Sequence, residues 1–190
     1  MATLDAAALR NPSSRDIRRR FEAAVTSIAV MFVCCIGAAE AAPTLEYQVK
    51  ASYIYNLTQF IDWPQHTLGE EFLVCVYGAH RFHDALDTLE GNRVGDRPLT
   101  VRYLRDMRLA DSCQILFIPA SEAPRTLQIL RAAPVTGLLT IGETRDFTDR
   151  GGIIGLVKID DKVKFEINEA AAERAGLAIS AQLLRLAVKR

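Results

Sequence analysis

Apolar positions along this chain follow two rhythms, one of about 3.6 residues and one of short unbroken runs. Between Glu46 and Trp63 the side chains Tyr47, Ala51, Ile54, Leu57 and Ile61 recur at helical spacing. Pro64 then forces its predecessor out of the α region, which predicts one amphipathic helix over 46–63 with a marked stop. Phe72 to Gly78 is a continuous apolar run closed by glycine and predicts a strand buried on both faces. His80 to Leu89 suits a helix ending at Gly91, and Asn92 to Pro98 is rich in turn formers. Leu99 to Leu104 alternates as a half-buried strand does. A second apolar run, Ile115 to Ile118, ends at Pro119 and hands over to a helix from Ser121 to about Ala133. Val135 to Ile141 repeats the strand pattern.

Short buried strands alternating with helices are the signature of a parallel sheet covered on both faces. After Gly142 the rhythm changes. Ile153–Ile159 and Val163–Ile167 flank a turn at Asp160-Asp161-Lys162, which predicts an antiparallel hairpin extending the sheet. Asn168 is placed to cap an alanine-rich helix ending at Gly176, and Ser180 to cap a last helix carrying Leu183, Leu184, Leu186 and Val188. The expected fold is therefore α/β: a mostly parallel central sheet with helices on both faces, extended by an antiparallel C-terminal hairpin.

The first forty residues follow neither rhythm. A basic stretch ending in Arg18-Arg19-Arg20 precedes a nearly uncharged segment from Ala23 to Ala39, then small residues alternate at Ala39-Glu40-Ala41. These are the three parts of a secretory signal peptide, with cleavage expected after Ala41 or Ala42; the competing reading is an uncleaved anchor. Residues 1–41 are thus read as a leader and 42–190 as one domain of about 149 residues, large enough for a core without staples.

Composition narrows the function classes. Of 190 residues, 23 are Lys or Arg and 23 Asp or Glu; without the leader the balance is 18 to 19. No basic excess is available to neutralise phosphates, so nucleic acid is not expected as a partner. Cys34 and Cys35 belong to the leader segment, leaving Cys75 and Cys113. Two cysteines in an exported chain predict one bridge, which would stabilise by about 4 kcal/mol in the chain-entropy model; two buried free thiols are the alternative.

Candidate chemistry is sparse. His80 and His83 stand three apart, but no third ligand, CxxC pair or HExxH accompanies them. No Gly-x-Ser-x-Gly elbow is present. Gly151-Gly152-Ile153-Ile154-Gly155 lacks both the following helix and the lysine of a phosphate loop. No catalytic residue, metal or cofactor is expected.

Several segments together resemble the YfiR family of exported bacterial regulators. They are Tyr47-Gln48-Val49-Lys50-Ala51-Ser52-Tyr53-Ile54-Tyr55-Asn56-Leu57 with Phe60-Ile61-Asp62-Trp63-Pro64, Val74-Cys75-Val76-Tyr77-Gly78, and Cys113-Gln114-Ile115-Leu116-Phe117-Ile118. Phe147 through Gly151-Gly152-Ile153-Ile154, Lys164-Phe165-Glu166-Ile167-Asn168, and Gly176-Leu177 through Ser180 to Ala187 complete the series, in order, across the whole mature chain. The resemblance implies a periplasmic, dimeric protein with no reaction of its own. Such a protein represses an inner-membrane diguanylate cyclase by contacting its periplasmic domain, so acting on cyclic di-GMP and biofilm formation. An outer-membrane lipoprotein can sequester the inhibitor. Cys75 and Cys113 stand where one family disulfide stands. A second pair has no counterpart, Phe147-Thr148 and Phe165-Glu166 lying where its cysteines would fall.

Because similar domains occur beside histidine kinases, a kinase partner or a small-molecule or redox sensor is the alternative expectation. A pocket lined by Tyr53, Trp63 and Tyr77 would favour the sensor. For the docking patch the candidates are Phe147, Phe165, Glu166 and Asn168, on the hairpin and the loop before it, with core packing and capping as their ordinary roles.

Overall fold

The computed structural model describes residues 45–79 and 81–188. The leader segment, its cleavage point and His80 lie outside the described residues. The elements in chain order are α1 (Leu45–Leu57), β1 (Ile61–Asp62), β2 (Phe72–Tyr77), β3 (Arg93–Val94), β4 (Arg97–Leu104), β5 (Ile115–Ile118) and α2 (Thr126–Ala132). There follow β6 (Leu139–Gly142), β7 (Ile154–Ile159), β8 (Lys162–Ile167), α3 (Glu169–Arg174), β9 (Ala178–Ile179) and α4 (Ala181–Leu186).

Seven strands form one sheet in the order β3-β4-β2-β5-β6-β7-β8. The run from β4 to β7 is parallel, with Val74 opposite both Val101 and Ile115, and Ile115 opposite Leu139. β8 returns antiparallel to β7 through a two-residue turn, Asp160-Asp161. Both aspartates sit at positive φ, 50° and 57°, the conformation a tight hairpin needs to match the strand twist.

Period-two alternation in the central strands divides the core into two layers. Val74, Val76, Ile115, Phe117, Leu139 and Ile141 face one side, where they meet Ala51, Ile54 and Leu57 of α1, Ala171 and Ala172 of α3, and Leu183 of α4. Leu73, Cys75, Leu116 and Ile118 face the other, against Ala110, Cys113, Ile129 of α2, Leu138 and Phe147. That second face carries a 3-10 turn over Met107–Ser112 and, in place of the single regular helix expected from Ser121 to about Ala133, a 3-10 turn over Ala120–Arg125 followed by the two-turn α2. Pro119, Pro124 and Pro134 leave little chain able to hold an unbroken α-helix.

Other boundaries move for identifiable reasons. The first helix ends at Leu57, six residues short of Trp63: Thr58 Oγ1 donates to the Tyr55 carbonyl (2.6 Å), and Ile61-Asp62 leave the helix to pair with Ala178-Ile179. The segment expected as a helix over 80–89 is two 3-10 turns, His83–Ala85 and Asp87–Leu89, followed by Gly91 at φ 76°. The strand expected over 135–141 starts only at Leu139, after Gly137 turns at φ 75°. The caps at Asn168 and Ser180 are formed, their side chains accepting from Ala171 N–H and Leu183 N–H.

Two polar groups hold the layers in register. Gln114, buried just before β5, accepts from Leu73 N–H through Oε1 (2.7 Å) and donates from Nε2 to the Thr67 carbonyl (3.0 Å). Its own carbonyl receives Leu139 N–H (2.8 Å) and Trp63 Nε1–H (3.3 Å). One residue thus ties together β2, β6 and the loop after α1.

The second is Lys50, on the buried side of α1. Its ammonium donates to Glu143 Oε1 (2.7 Å), pairs with Glu46 (2.6 Å) and lies 4.4 Å from the Tyr47 ring centre. Glu143 Oε2 accepts from Ala120 N–H (3.0 Å), so the ion pair joins α1 to the ends of β5 and β6. Burial opposes the charge on Lys50, but the hydrogen bonds to Glu143 and Glu46 outweigh it and raise the pKa of the amine. The hydrogen bond from Lys50 holds the Glu46 carboxyl below its ordinary value.

Gln114→Ala leaves Leu73 N–H buried without a partner and is expected to cost about 1–3 kcal/mol in urea unfolding. Removing Lys50 strands Glu143, whose side chain is 5% exposed, so Lys50→Met is expected to cost about 3 kcal/mol at pH 7. Because the Lys50 pKa is raised by folding, its contribution is complete below the unfolded amine's pKa and disappears as pH climbs through the folded one. Thermal melts across alkaline pH are therefore expected to fall less steeply for Lys50→Met than for the native chain.

Candidate functional site

The four docking candidates sit around one loop, residues 143–153, and the hairpin beside it. Phe147 is 1% exposed. Its ring fills a slot between Gly142 and Gly152, where an added Cβ would lie 2.2 and 2.1 Å from the ring carbons, so only glycine fits at either position. The loop closes on itself through Phe147 N–H to the Thr144 carbonyl (3.1 Å) and Gly152 N–H to the Phe147 carbonyl (3.0 Å).

Thr148 carries the loop to the hairpin. Its hydroxyl donates to Glu166 Oε2 (3.4 Å), and its carbonyl accepts from Asn168 Nδ2 (2.8 Å). Asn168 Oδ1 simultaneously caps α3 at Ala171 N–H (2.9 Å). Glu166 stands opposite Gly155 in the β7–β8 register, with the Thr148 methyl and the Glu166 carboxylate beside that glycine. Phe165, one residue earlier, points to the opposite face of the sheet, where its ring meets Tyr53 edge-on at 5.8 Å.

Structure therefore brings Glu166, Asn168 and the Phe147 loop together and sends Phe165 elsewhere. Both phenylalanines and Glu166 are buried, and Asn168 is half-buried. Over this assembly lies a cleft of about 510 Å³ bounded by Thr148, Glu166, Asn168, Glu169, Leu184 and Val188. Asp149, Glu166 and Glu169 bring three carboxylates to it and, among the described residues, no basic side chain lines it, while Leu184, Ala187 and Val188 supply an apolar wall.

Sequence reasoning did not find that apolar wall. The wall exists because the chain end returns to the hairpin, Val188 N–H donating to the Phe165 carbonyl (2.9 Å), and a contact over more than twenty residues leaves no local pattern.

The structure pairs Cys75 with Cys113, their Cα atoms 6.0 Å apart, across 38 residues. Cys75 is fully buried and Cys113 nearly so, in the same layer as Phe147. The bridge pins β2 to the segment entering β5 on the face that has least helix to cover it.

Tyr53, Trp63 and Tyr77 line no common pocket. Trp63 is buried against Phe72, ring centres 5.0 Å apart, while Tyr77 faces the other layer beside Met107. Among the described residues no group of His, Cys, Asp and Glu is arranged to hold a metal. No described helix is long and apolar enough to cross a membrane.

The structure is thus a disulfide-pinned α/β domain with clefts between its strand ends and loops. Residues 47–188 match the sequence profile of the family described as YfiR/HmsC-like, and the chain belongs to that family. No curated protein matches the sequence.

Asn168 joins the loop, hairpin and α3 through both ends of one amide. Asn168→Ala is expected to lower stability by about 1–2 kcal/mol in urea unfolding. Asn168→Asp, which keeps the cap but places an acceptor against the Thr148 carbonyl, is expected to raise amide hydrogen exchange in residues 144–152 while α3 stays protected.

Proposed function

We propose that this chain is a periplasmic regulatory protein that binds the periplasmic domain of an inner-membrane diguanylate cyclase and holds the enzyme inactive, lowering cyclic di-GMP and restraining biofilm formation. Membership of the YfiR/HmsC-like family over residues 47–188 carries this reading. The leader delivers the chain to the periplasm, and the working form is a homodimer, released from the cyclase when an outer-membrane lipoprotein sequesters it.

Inhibition by contact is a population shift, because the regulator acts only to the extent that it prefers the cyclase's inactive conformation. The docking surface in this reading is the acidic cleft. Glu166 and Asn168 border it with Glu169, and the buried rings of Phe147 and Phe165 set the loop and hairpin that shape it. Glu169, exposed beside the apolar wall of Leu184, Ala187 and Val188, supports a partner segment that presents Lys or Arg among aliphatic residues.

The test is capture of partners from detergent-solubilised envelopes on the exported chain carrying an affinity tag, followed by mass spectrometry, with cyclic di-GMP measured in cells lacking the gene. Recovery of a membrane diguanylate cyclase, lost when Glu169→Lys reverses charge at the cleft, and a several-fold rise in cyclic di-GMP are the expected results. An unchanged cyclic di-GMP level with a histidine kinase as the captured partner would replace the cyclase by a kinase.

A further inference from the structure

The order of strands creates a second crevice, far in sequence from the hairpin. β4 lies on one side of β2 and β5 on the other, so the connections leaving β2 and β5 diverge at their carboxyl ends. In open parallel sheets this divergence is where ligands are received. Here it opens a cavity of about 490 Å³ between Ala79 and Arg81 after β2, Ala120 and Ser121 after β5, Glu143 after β6, and Tyr47 of α1.

The polar groups around this cavity are unequally occupied. Glu143 is satisfied at both oxygens, by Lys50 and by Ala120 N–H, and the Ser121 hydroxyl donates to the Ala79 carbonyl. Arg81 is exposed and, among the described residues, has no carboxylate within ion-pair distance; its charge is felt at Glu46 and Tyr47. Burial raises the Tyr47 pKa, which keeps the phenol protonated and able to donate. Among the described residues the unsatisfied capacity of the crevice is therefore donor capacity: a planar guanidinium fork and one phenolic O–H.

We propose that the crevice at the carboxyl ends of β2 and β5 binds a small organic carboxylate, gripped by Arg81 and the Tyr47 hydroxyl. Guanidinium and carboxylate match as two parallel hydrogen bonds, and the volume admits a small metabolite. With only these two donors and the Glu143 carboxylate in the same lining, the crevice matches the two oxygens and single charge of a carboxylate better than the additional oxygens and double charge of a phosphate dianion. Glu143 holds the Ala120 N–H and the Lys50 ammonium that an entering anion would also attract. Occupancy thus bears on the link between α1 and the β5 and β6 loops. The proposal stands apart from the cyclase reading, since its test needs no partner protein.

Benzoate, acetate and inorganic phosphate are titrated separately, at constant ionic strength, into protein purified after expression of the whole chain, with amide NMR shifts and melting temperature as readouts. Saturable shifts at Ala79 and Ala120 with at least one carboxylate, and a rise in melting temperature, are expected. Arg81→Ala removes an exposed side chain outside the core and is expected to weaken binding by about tenfold or more. Glu143→Gln is expected to tighten it several-fold by removing a like charge. No saturable response to either carboxylate, a response to phosphate alone, or undiminished carboxylate binding by Arg81→Ala would each overturn the proposal.

Discussion

The central pair β2 and β5 is buried on both faces, and the rest of the structure follows from that constraint. Side chains of β2 alternate between the two layers, and no strand face in this part of the sheet is left to water. Every backbone amide there must pair within the sheet, and each face needs a cover that the strands themselves do not supply. One cover is α1 with the C-terminal elements α3 and α4, drawn from the two ends of the domain. The other is assembled from 3-10 turns, α2 and the Phe147 loop. The disulfide sits on that second, less regular side, where a covalent tie adds most to a cover made of short pieces.

Buried polar groups in this domain act as joints rather than as isolated stabilisers. Gln114, Lys50 with Glu143, and Asn168 each satisfy groups from three separate parts of the chain. Removing one partner from such a joint costs more than the mean hydrogen bond, because the groups left behind stay buried. The same arrangement connects the two clefts to the core. The acidic cleft rests on Thr148, Glu166 and Asn168, and the switch-point crevice rests on Lys50 and Glu143. Either site is therefore positioned by residues whose first role is to satisfy the backbone around the sheet.

The two clefts differ in what they can recognise. The acidic cleft sets carboxylates beside an apolar wall, whereas the switch-point crevice has, among the described residues, spare donors. They lie at opposite parts of the element order, one at the hairpin edge and one at the centre of the sheet.

Periodicity alone was enough for the strands at Phe72–Tyr77 and Ile115–Ile118, the hairpin with its Asp160-Asp161 turn, and the caps at Asn168 and Ser180. Each of these is decided within a few residues, by side-chain alternation, by left-handed turn positions or by a side chain reaching three residues ahead. The end of α1 was not legible, because Ile61 fits a helix and a strand equally and its pairing with Ile179 decides between them. Residues 80–89 carry a helical pattern whose apolar side chains Phe82, Leu86 and Leu89 are buried as that pattern requires, but the backbone closes as two 3-10 turns, a difference the pattern does not encode. Phe147 and Glu166 could be picked out as unusual, but not their roles, which depend on Gly142, Gly152 and Thr148 reaching them in space. By itself the sequence determined the class of fold, the family and the pairing partners available to each cysteine. Only the tertiary structure decided the clefts, because a cavity is made by distant segments meeting, and local physical chemistry carries no record of that distance.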